Sequence, residues 1–305
     1  MNQLDLTFLK WLQEQRTPAM EEFFLRGTRG GEGFWILAAA ATLFWLFGAR
    51  IGYRVGFALA AGDLLTGALK NICGIPRPWL RDPAILPVPQ AQWTAFGYSF
   101  PSGHTANTAL LWGGLGAACR RGWLWIPILL WIGLMAMSRM VLGVHTPMDV
   151  VGSLVLALPV IWFMGRIYDW TEQHPSRRGW VLAGAVLLAG LVWGIVRFKP
   201  VPEGGDLHFA RDAYRSIWGL LGFFGGWFVE RQYVRFNPGA LGAYRLAGVA
   251  MGVIVLALMQ ENLVRLLAPG LGSEIASYVA AAANPVWILV VWPALLKGLE
   301  KPAGR

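Results

Sequence analysis

Three basic residues stand where a long apolar chain has little reason to carry charge. Lys70 lies within an otherwise apolar stretch, Arg77 follows between two prolines, and Arg139 ends a later apolar stretch. Ionisable groups inside such stretches are costly and commonly mark functional sites. Cations gathered at one depth need an anion, and the guanidinium fork matches the oxygens of a phosphate. We therefore predict that Lys70, Arg77 and Arg139 bind a phosphoryl group.

A second motif, Pro101-Ser102-Gly103-His104, comes just before another apolar run. Serine is a good helix N-cap, and the free amides of a first helical turn bind anions. Glycine lets the backbone approach a ligand closely. We therefore expect Ser102 and Gly103 to contact the same phosphate, with His104 facing it from the first turn.

The third motif pairs His145 with Asp149, four residues apart and separated by Pro147. A helix that begins near His145 places both side chains on one face, and proline is well accommodated in a first turn. The carboxylate can then accept the Nδ1 proton of the imidazole and leave Nε2 free as a nucleophile.

These residue types are the ones that phosphoryl transfer requires, because its catalysis is mostly positioning and charge neutralisation. We predict that His145 attacks phosphorus to form a phosphohistidine. His104 then protonates the leaving group and later deprotonates the attacking water. No acidic pair or Cys/His cluster indicates a metal, so we expect neither a metal nor another cofactor.

The elements that position these residues are predicted to be membrane helices. The 305 residues are 56% hydrophobic and only 14% charged, against about 25% charged in soluble domains. The formal net charge is +9, but so little total charge excludes a disordered chain or a nucleic-acid-binding tail. Apolar runs near membrane-spanning length recur about nine times. They are residues 34–49, 51–73, 102–119, 122–140, 147–165, 179–196, 214–229, 243–267 and 275–296, the eighth interrupted at 260–262. The fold class is therefore an all-α integral membrane protein, a bundle of about nine transmembrane helices with a six-helix phosphatase core.

We divide the chain into an amphipathic interfacial segment (1–33), the membrane core with the motifs (34–198), and a C-terminal transmembrane extension (199–305) of the same domain. Short, strongly basic loops at one face predict the cytoplasmic side. The motifs lie at the other face, so we expect a multi-pass protein of a bacterial inner membrane with its site outside. Cys73 and Cys119 fall at opposite ends of the bilayer and are expected to be buried, unreactive thiols.

The three motifs together resemble the signature of the type 2 phosphatidic acid phosphatase superfamily, K-x6-R-P, P-S-G-H and S-R-x5-H-x3-D, with every specified position matched. The resemblance spans about residues 60–155. It implies a helical core and metal-independent phosphatase activity through a phosphohistidine. It assigns His145 as nucleophile, Asp149 as its orienting partner and His104 as acid and base. The remaining motif residues, Lys70, Arg77, Ser102, Gly103 and Arg139, are assigned to phosphate.

The substrate stays open at this stage. The leading hypothesis is hydrolysis of a phosphorylated lipid in the bilayer, such as phosphatidic acid, phosphatidylglycerol phosphate or a prenyl pyrophosphate. The alternatives are a soluble sugar phosphate, since the span number and the Gly62-Asp63 pair are similar to the glucose-6-phosphatase branch, and a non-catalytic lipid transporter. Asp63 is interpreted as a structural group, and His208 and Arg211 as solvated loop residues, although each could take part. The role of the last three spans and the oligomeric state are not predicted.

Overall fold

The computed structural model describes residues 3–95, 97–199 and 208–298, and within these ranges the chain is a helical bundle without a β-strand. The helices are α1 Gln3–Gln15, α2 Pro18–Thr28, α3 Gly33–Phe47, α4 Ala49–Cys73, α5 Pro78–Arg81, α6 Pro89–Gln92, α7 Gly103–Thr108, α8 Gly114–Cys119, α9 Trp125–Val141, α10 Pro147–Gln173, α11 Arg178–Phe198, α12 His208–Val229, α13 Arg245–Leu271, α14 Ser273–Val286 and α15 Trp292–Lys297. Single π-helical turns join α7 to α8 and α14 to α15, and another extends α12.

The predicted apolar runs coincide with helices. Two of them show where a predicted helix boundary matches the structure and where a predicted interruption does not. Helix α10 begins at Pro147, where the fifth apolar run was predicted to start, because Thr146 caps it and proline needs no hydrogen-bond partner there. Helix α13 runs through the polar residues 260–262 without a break. The Asn262 side chain donates to the Leu258 carbonyl one turn earlier.

Five helical stretches of the described chain are long and apolar enough to cross a membrane. They are Gly122–Val141, Pro147–Gln173, Pro175–Phe198, Pro238–Leu271 and Ser273–Lys297. A sixth crossing is possible if Pro18–Gly31 and Gly33–Phe47, which meet at a 51° bend, act as one span. Helix α4 is not among these stretches, and most of its length is buried by its neighbours. A helix enclosed by protein needs less apolar surface than one exposed to lipid. An integral membrane protein is thus supported, whereas nine crossings and a six-helix core remain predictions.

The C-terminal helices pack into the core. Helix α12 lies along α4, and α14 packs on α12. Buried aromatic rings fill the end of the bundle opposite the motifs, including Phe57, Phe224 and Trp227. The Tyr53 hydroxyl donates to Glu230 at 2.5 Å, which ties α4 to the turn after α12. These contacts make the C-terminal region part of one packed unit.

The N-terminal helix α1 packs Leu9 and Leu12 against the site-facing ends of α9 and α10, while Leu4 and Trp11 stay exposed. This is the amphipathic pattern expected of residues 1–33. The expectation for the cysteines was wrong in part. Cys119 is half-buried, but Cys73 is exposed because it ends α4 at the bundle surface.

Candidate active site

His145 lies in the tight turn between α9 and α10, and its ring is 2% exposed. Its backbone N–H donates to the Arg139 carbonyl at 3.2 Å. Gly143 adopts a φ of +75° in this turn, where a Cβ would lie 3.2 Å from the Pro87 backbone. Such a conformation suits glycine. The turn therefore fixes the imidazole relative to both flanking helices.

Asp149 stands one turn into α10 and faces His145, as the i, i+4 spacing predicts. Its Oδ2 lies 3.4 Å from His145 Nδ1, longer than a well-formed hydrogen bond. The same oxygen accepts from Ser99 Oγ at 2.6 Å and from the Thr146 N–H at 2.8 Å. The Thr146 hydroxyl in turn accepts from the Asp149 N–H, which completes a capping box. The carboxylate is therefore held rigidly beside the ring.

Arg77 contacts the other side of the imidazole. Its Nη1 lies 2.9 Å from His145 Nε2. A guanidinium can only donate hydrogen bonds, so Nε2 is the acceptor in this contact. The proton of a neutral ring then resides on Nδ1, on the side of Asp149. This is the tautomer that the sequence argument requires of a nucleophile.

The charge states at this contact follow from burial. Burial and the neighbouring Arg77 charge lower the pKa of His145 to about 3, so the ring is neutral near pH 7. Burial lowers the pKa of Arg77 to about 10, and the guanidinium remains protonated. Arg77 is also held by the Gly97 and Val144 carbonyls at 2.9 and 3.1 Å.

Arg139 is fully buried at the end of α9. Its Nη1 donates to Thr28 Oγ1 at 2.7 Å, while its Nε and Nη2 have no hydrogen-bond partner among the described residues. Burying a charged donor without a partner is costly. An anion such as phosphate would satisfy both nitrogens. Thr28 had no signal in the sequence, because an ordinary threonine at a helix end is not informative.

The Ser102-Gly103-His104 motif starts α7 as predicted. Ser102 does not cap the helix with its side chain. Its hydroxyl bonds instead to Thr105 Oγ1 at 3.0 Å and is fully buried. A Cβ on Gly103 would meet no atom within 4 Å, so there is room beside its backbone. His104 Nε2 is buried and has no partner in the part of the chain that the structure describes.

A cavity of about 410 Å³ brings most of these side chains together. Its wall includes five of the eight predicted site residues, namely Lys70, Arg77, Gly103, His104 and His145. The other three, Ser102, Arg139 and Asp149, are buried next to these. Lys70 Nζ lies 4.0 Å from Asp212 on α12, a partner outside the motifs. The arrangement can hold a phosphoryl group against a neutral, oriented imidazole.

The comparison with known families agrees with this geometry. Residues 51–173 match the model of the PAP2 superfamily. The match begins in α4 and ends with α10, so it contains all three motifs. The chain is also 22% identical over 285 residues to a dihydrosphingosine 1-phosphate phosphatase of Schizosaccharomyces pombe. The aligned region covers 87% of this chain and 68% of that protein. No solved structure matches the chain significantly.

The match to the PAP2 superfamily model and the phosphatase relative support a phosphoric monoester hydrolase, as the motifs predicted. Among the described residues, no three His, Cys, Asp or Glu side chains form a group that could hold a metal ion. Positive charge at the candidate site comes from the side chains of the predicted phosphate-binding residues Lys70, Arg77 and Arg139.

The residues left open at the sequence level divide into three cases. Asp63, interpreted as a structural group, lines the cavity and forms a side-chain hydrogen bond with Asn107. Arg211 is half-buried near Tyr278 of α14, not a fully solvated loop residue. The side chain of His208 lies outside the described part of the structure.

Proposed function

We propose that this protein is a membrane phosphatase that hydrolyses the phosphomonoester of a lipid through a phosphohistidine on His145. Its match to the PAP2 superfamily model and its relationship to a lipid phosphate phosphatase support a membrane lipid phosphatase in general. The substrate and the covalent mechanism are the finer parts of the proposal.

The first step requires Arg77 to release His145 Nε2. A phosphoryl oxygen is a stronger acceptor for a guanidinium than a neutral imidazole is, so an arriving substrate draws Arg77 from the ring to the phosphate. The Nε2 lone pair then attacks phosphorus, and the bond from phosphorus to the lipid oxygen breaks. Asp149 stabilises the positive charge that the ring acquires. Arg139, with two unpartnered nitrogens, binds the equatorial oxygens.

His104 serves both halves of the reaction. Its protonated ring gives a proton to the departing lipid alkoxide, which leaves as an alcohol. The neutral ring then takes a proton from water as the water oxygen attacks the phosphohistidine. Inorganic phosphate departs, and His145 returns to its neutral form. His104 lines the cavity with an unpartnered Nε2, as this role requires.

The observation that carries a lipid substrate is the shape of the cavity. It begins at the catalytic side chains and continues between apolar residues inside the bundle. A site for a soluble sugar phosphate needs a polar vestibule with hydrogen-bonding walls, and the deep end of this cavity is apolar. The hydrolysed lipid is a phosphomonoester such as phosphatidic acid or phosphatidylglycerol phosphate, or a prenyl pyrophosphate cleaved by the same steps. A sphingoid-base phosphate joins this group because the fungal relative is named for one.

The membrane arrangement belongs to the same proposal. We place about nine helices across the bilayer, with the site at the outer face and the basic loops in the cytoplasm. Arg54 and Asp169 form an ion pair at the basic end of the bundle, and Glu172 pairs there with Arg178 and Arg231. For a bacterial protein, this orientation puts product release on the outer side of the inner membrane.

The test is phosphate release from vesicles that contain the purified protein and one lipid phosphate at a time, in the presence of a chelator. Wild-type protein should release phosphate, and His145→Ala should release none. Substrate labelled on phosphorus, quenched in alkali, should leave an acid-labile label on the wild-type protein but none on His145→Ala. Absence of turnover by wild type, or turnover by His145→Ala, would refute the proposal. Movement of labelled lipid across the vesicle without hydrolysis, equal in both proteins, would favour the transporter.

A further inference from the structure

The cavity that starts at the phosphate-binding side chains runs deep into the bundle beside α4. Lys70 lines its upper end and Gly52 its lower end. These residues are about five turns apart on one helix, or about 27 Å at 1.5 Å per residue. The hydrocarbon core of a bilayer is about 30 Å thick. The cavity therefore extends along α4 over a length close to the hydrocarbon thickness of a bilayer.

The wall changes in character with depth along α4. Cationic and histidine side chains stand at the top, as described above. Hydrogen-bonding side chains follow between the level of Lys70 and that of Asp63, two turns below it. Those lining the cavity are Asp63, Thr66, Asn107, Asp212, Ser216 and Asn284. The lower end is apolar, lined by Phe44, Leu220, Phe223, Ile288 and Leu289. Phosphate, polar backbone and hydrocarbon follow one another in this order in a lipid phosphate.

The cavity is a narrow slot because α4 and α12 approach each other at glycines. A Cβ on Gly67 would lie 2.7 Å from Ser216 Oγ, and one on Gly56 would lie 2.4 Å from the Phe223 ring. Below 3.0 Å some atoms must move, so the two helices are already in contact at these levels. With one side closed by these contacts, a volume of about 410 Å³ along the length of α4 suits one long hydrocarbon chain.

The far wall of the slot comes from the C-terminal helices, outside the PAP2 match. Helix α12 contributes Gly219, Leu220 and Phe223, and α14 contributes residues from 281 onward. This wall is anchored to α3, because the Trp45 indole donates to the Ile288 carbonyl at 2.9 Å. Gln260 of α13 also lines the cavity, which accounts for a polar residue within an apolar helix.

We propose that this slot encloses the hydrocarbon chain of a single-chain lipid phosphate and that α12 and α14 serve as its wall. The inference rests on the proposed function, since it concerns the substrate of the same site. It implies that the chain is held by protein during catalysis and does not remain in the surrounding bilayer. It also gives the C-terminal helices a role in substrate selection.

The experiment compares hexadecyl phosphate with butyl phosphate on the reconstituted protein. Ala60 lines the slot one turn below Asp63, so Ala60→Leu places a larger side chain in the path of the chain. We expect roughly a tenfold or larger loss of kcat/KM for hexadecyl phosphate and an unchanged value for butyl phosphate. Ala183→Leu is the matched control, because Ala183 is exposed on α11, and it should alter neither. Ala40→Leu on α3, also in the lining, is the second blocking variant if Ala60→Leu does not fold.

A wild-type measurement tests the same idea without substitution. Hexadecyl phosphate with a photoreactive group at the chain terminus should cross-link to residues 220–223 or 285–289. Equal turnover of both phosphates by Ala60→Leu and wild type, or cross-links confined to the exposed face of α11, would overturn the inference. If wild type hydrolyses neither alkyl phosphate nor any lipid phosphate, the proposed function itself fails.

Discussion

Thr28 holds Arg139 from outside the motif-bearing segments, and Thr28→Val tests whether that contact positions the phosphate site. The substitution keeps the shape of the side chain and removes only the hydroxyl that accepts the 2.7 Å bond from Arg139 Nη1. Thr28 is 3% exposed, so water cannot easily replace the lost partner. The guanidinium would then have no fixed orientation toward the phosphoryl oxygens.

The size of the effect follows from the type of bond. Hydrogen bonds to charged groups contribute about 1.5–3 kcal/mol. At about 1.36 kcal/mol per tenfold change, complete loss of this term in the transition state lowers kcat/KM by roughly 10- to 150-fold. Since the proposed role of Arg139 is to bind the phosphate and not the lipid chain, the loss should be the same for long-chain and short-chain substrates.

The assay is initial-rate phosphate release from vesicles, with Thr28→Ser and Thr171→Val as controls. Serine retains the hydroxyl and should restore most of the activity. Thr171 is also fully buried and donates to the Tyr168 carbonyl at 2.7 Å, but it lies at the opposite end of α10 from the site. Its replacement tests the general cost of losing a buried threonine hydroxyl. Wild-type kcat/KM in Thr28→Val, or an equal loss in Thr171→Val, would refute the reasoning.

Three further outcomes are expected. Asp149→Asn should lower kcat by roughly 10²- to 10⁴-fold, because an amide no longer selects the productive tautomer of His145 or stabilises its charged ring. The Ser99 hydroxyl reaches this ring through its hydrogen bond to Asp149. A smaller loss of kcat in Asp149→Asn than in Ser99→Ala would therefore contradict the role of Asp149. The pKa of His145 is lowered to about 3, so its ring stays neutral when the pH falls through the ordinary histidine pKa of 6.5. The ¹⁵N signals of its ring, assigned by their loss in His145→Ala, should therefore not shift between about pH 5 and 8. A titration midpoint of these signals near pH 6.5 would contradict the lowered pKa. A membrane-impermeant maleimide applied to intact cells should label Cys73, which is exposed at the site end of the bundle, and not Cys119. Labelling should therefore persist in Cys119→Ser and disappear in Cys73→Ser. The reverse pattern in these two variants would invert the proposed topology.

Much of the bundle was predictable, because apolar runs and proline positions are local properties of the chain. The start of α10 at Pro147 is an example, since the fifth apolar run begins there and proline is well accommodated in a first helical turn. The crossing number was not predictable in the same way. Helix α4 carries charged residues and is enclosed by other helices, and hydropathy cannot distinguish an enclosed helix from a short or interrupted span.

For the site, residue types and spacing within one stretch were sufficient to pair His145 with Asp149, because a four-residue interval on a helix places two side chains on one face whatever surrounds them. The same local reasoning predicted a cap from Ser102. It could not foresee that the hydroxyl would bond to Thr105, which competes for it from within the same turn. Nor could it fix the distance of 3.4 Å to Asp149, which depends on the Ser99 and Thr146 contacts to that carboxylate.

The sequence by itself determined which chemistry to propose, since three motifs with fixed internal spacing predict a histidine nucleophile, its carboxylate and a set of cations. Only the tertiary structure decided what surrounds them. The contact of Thr28 with Arg139 joins residues 111 positions apart, and the Lys70–Asp212 pair joins the region of the PAP2 match to the C-terminal helices. The slot beside α4 exists because α12 and α14 fold back against it, and no local pattern encodes the space between helices. Packing across long sequence separations therefore sets the substrate space, while local spacing sets the reaction.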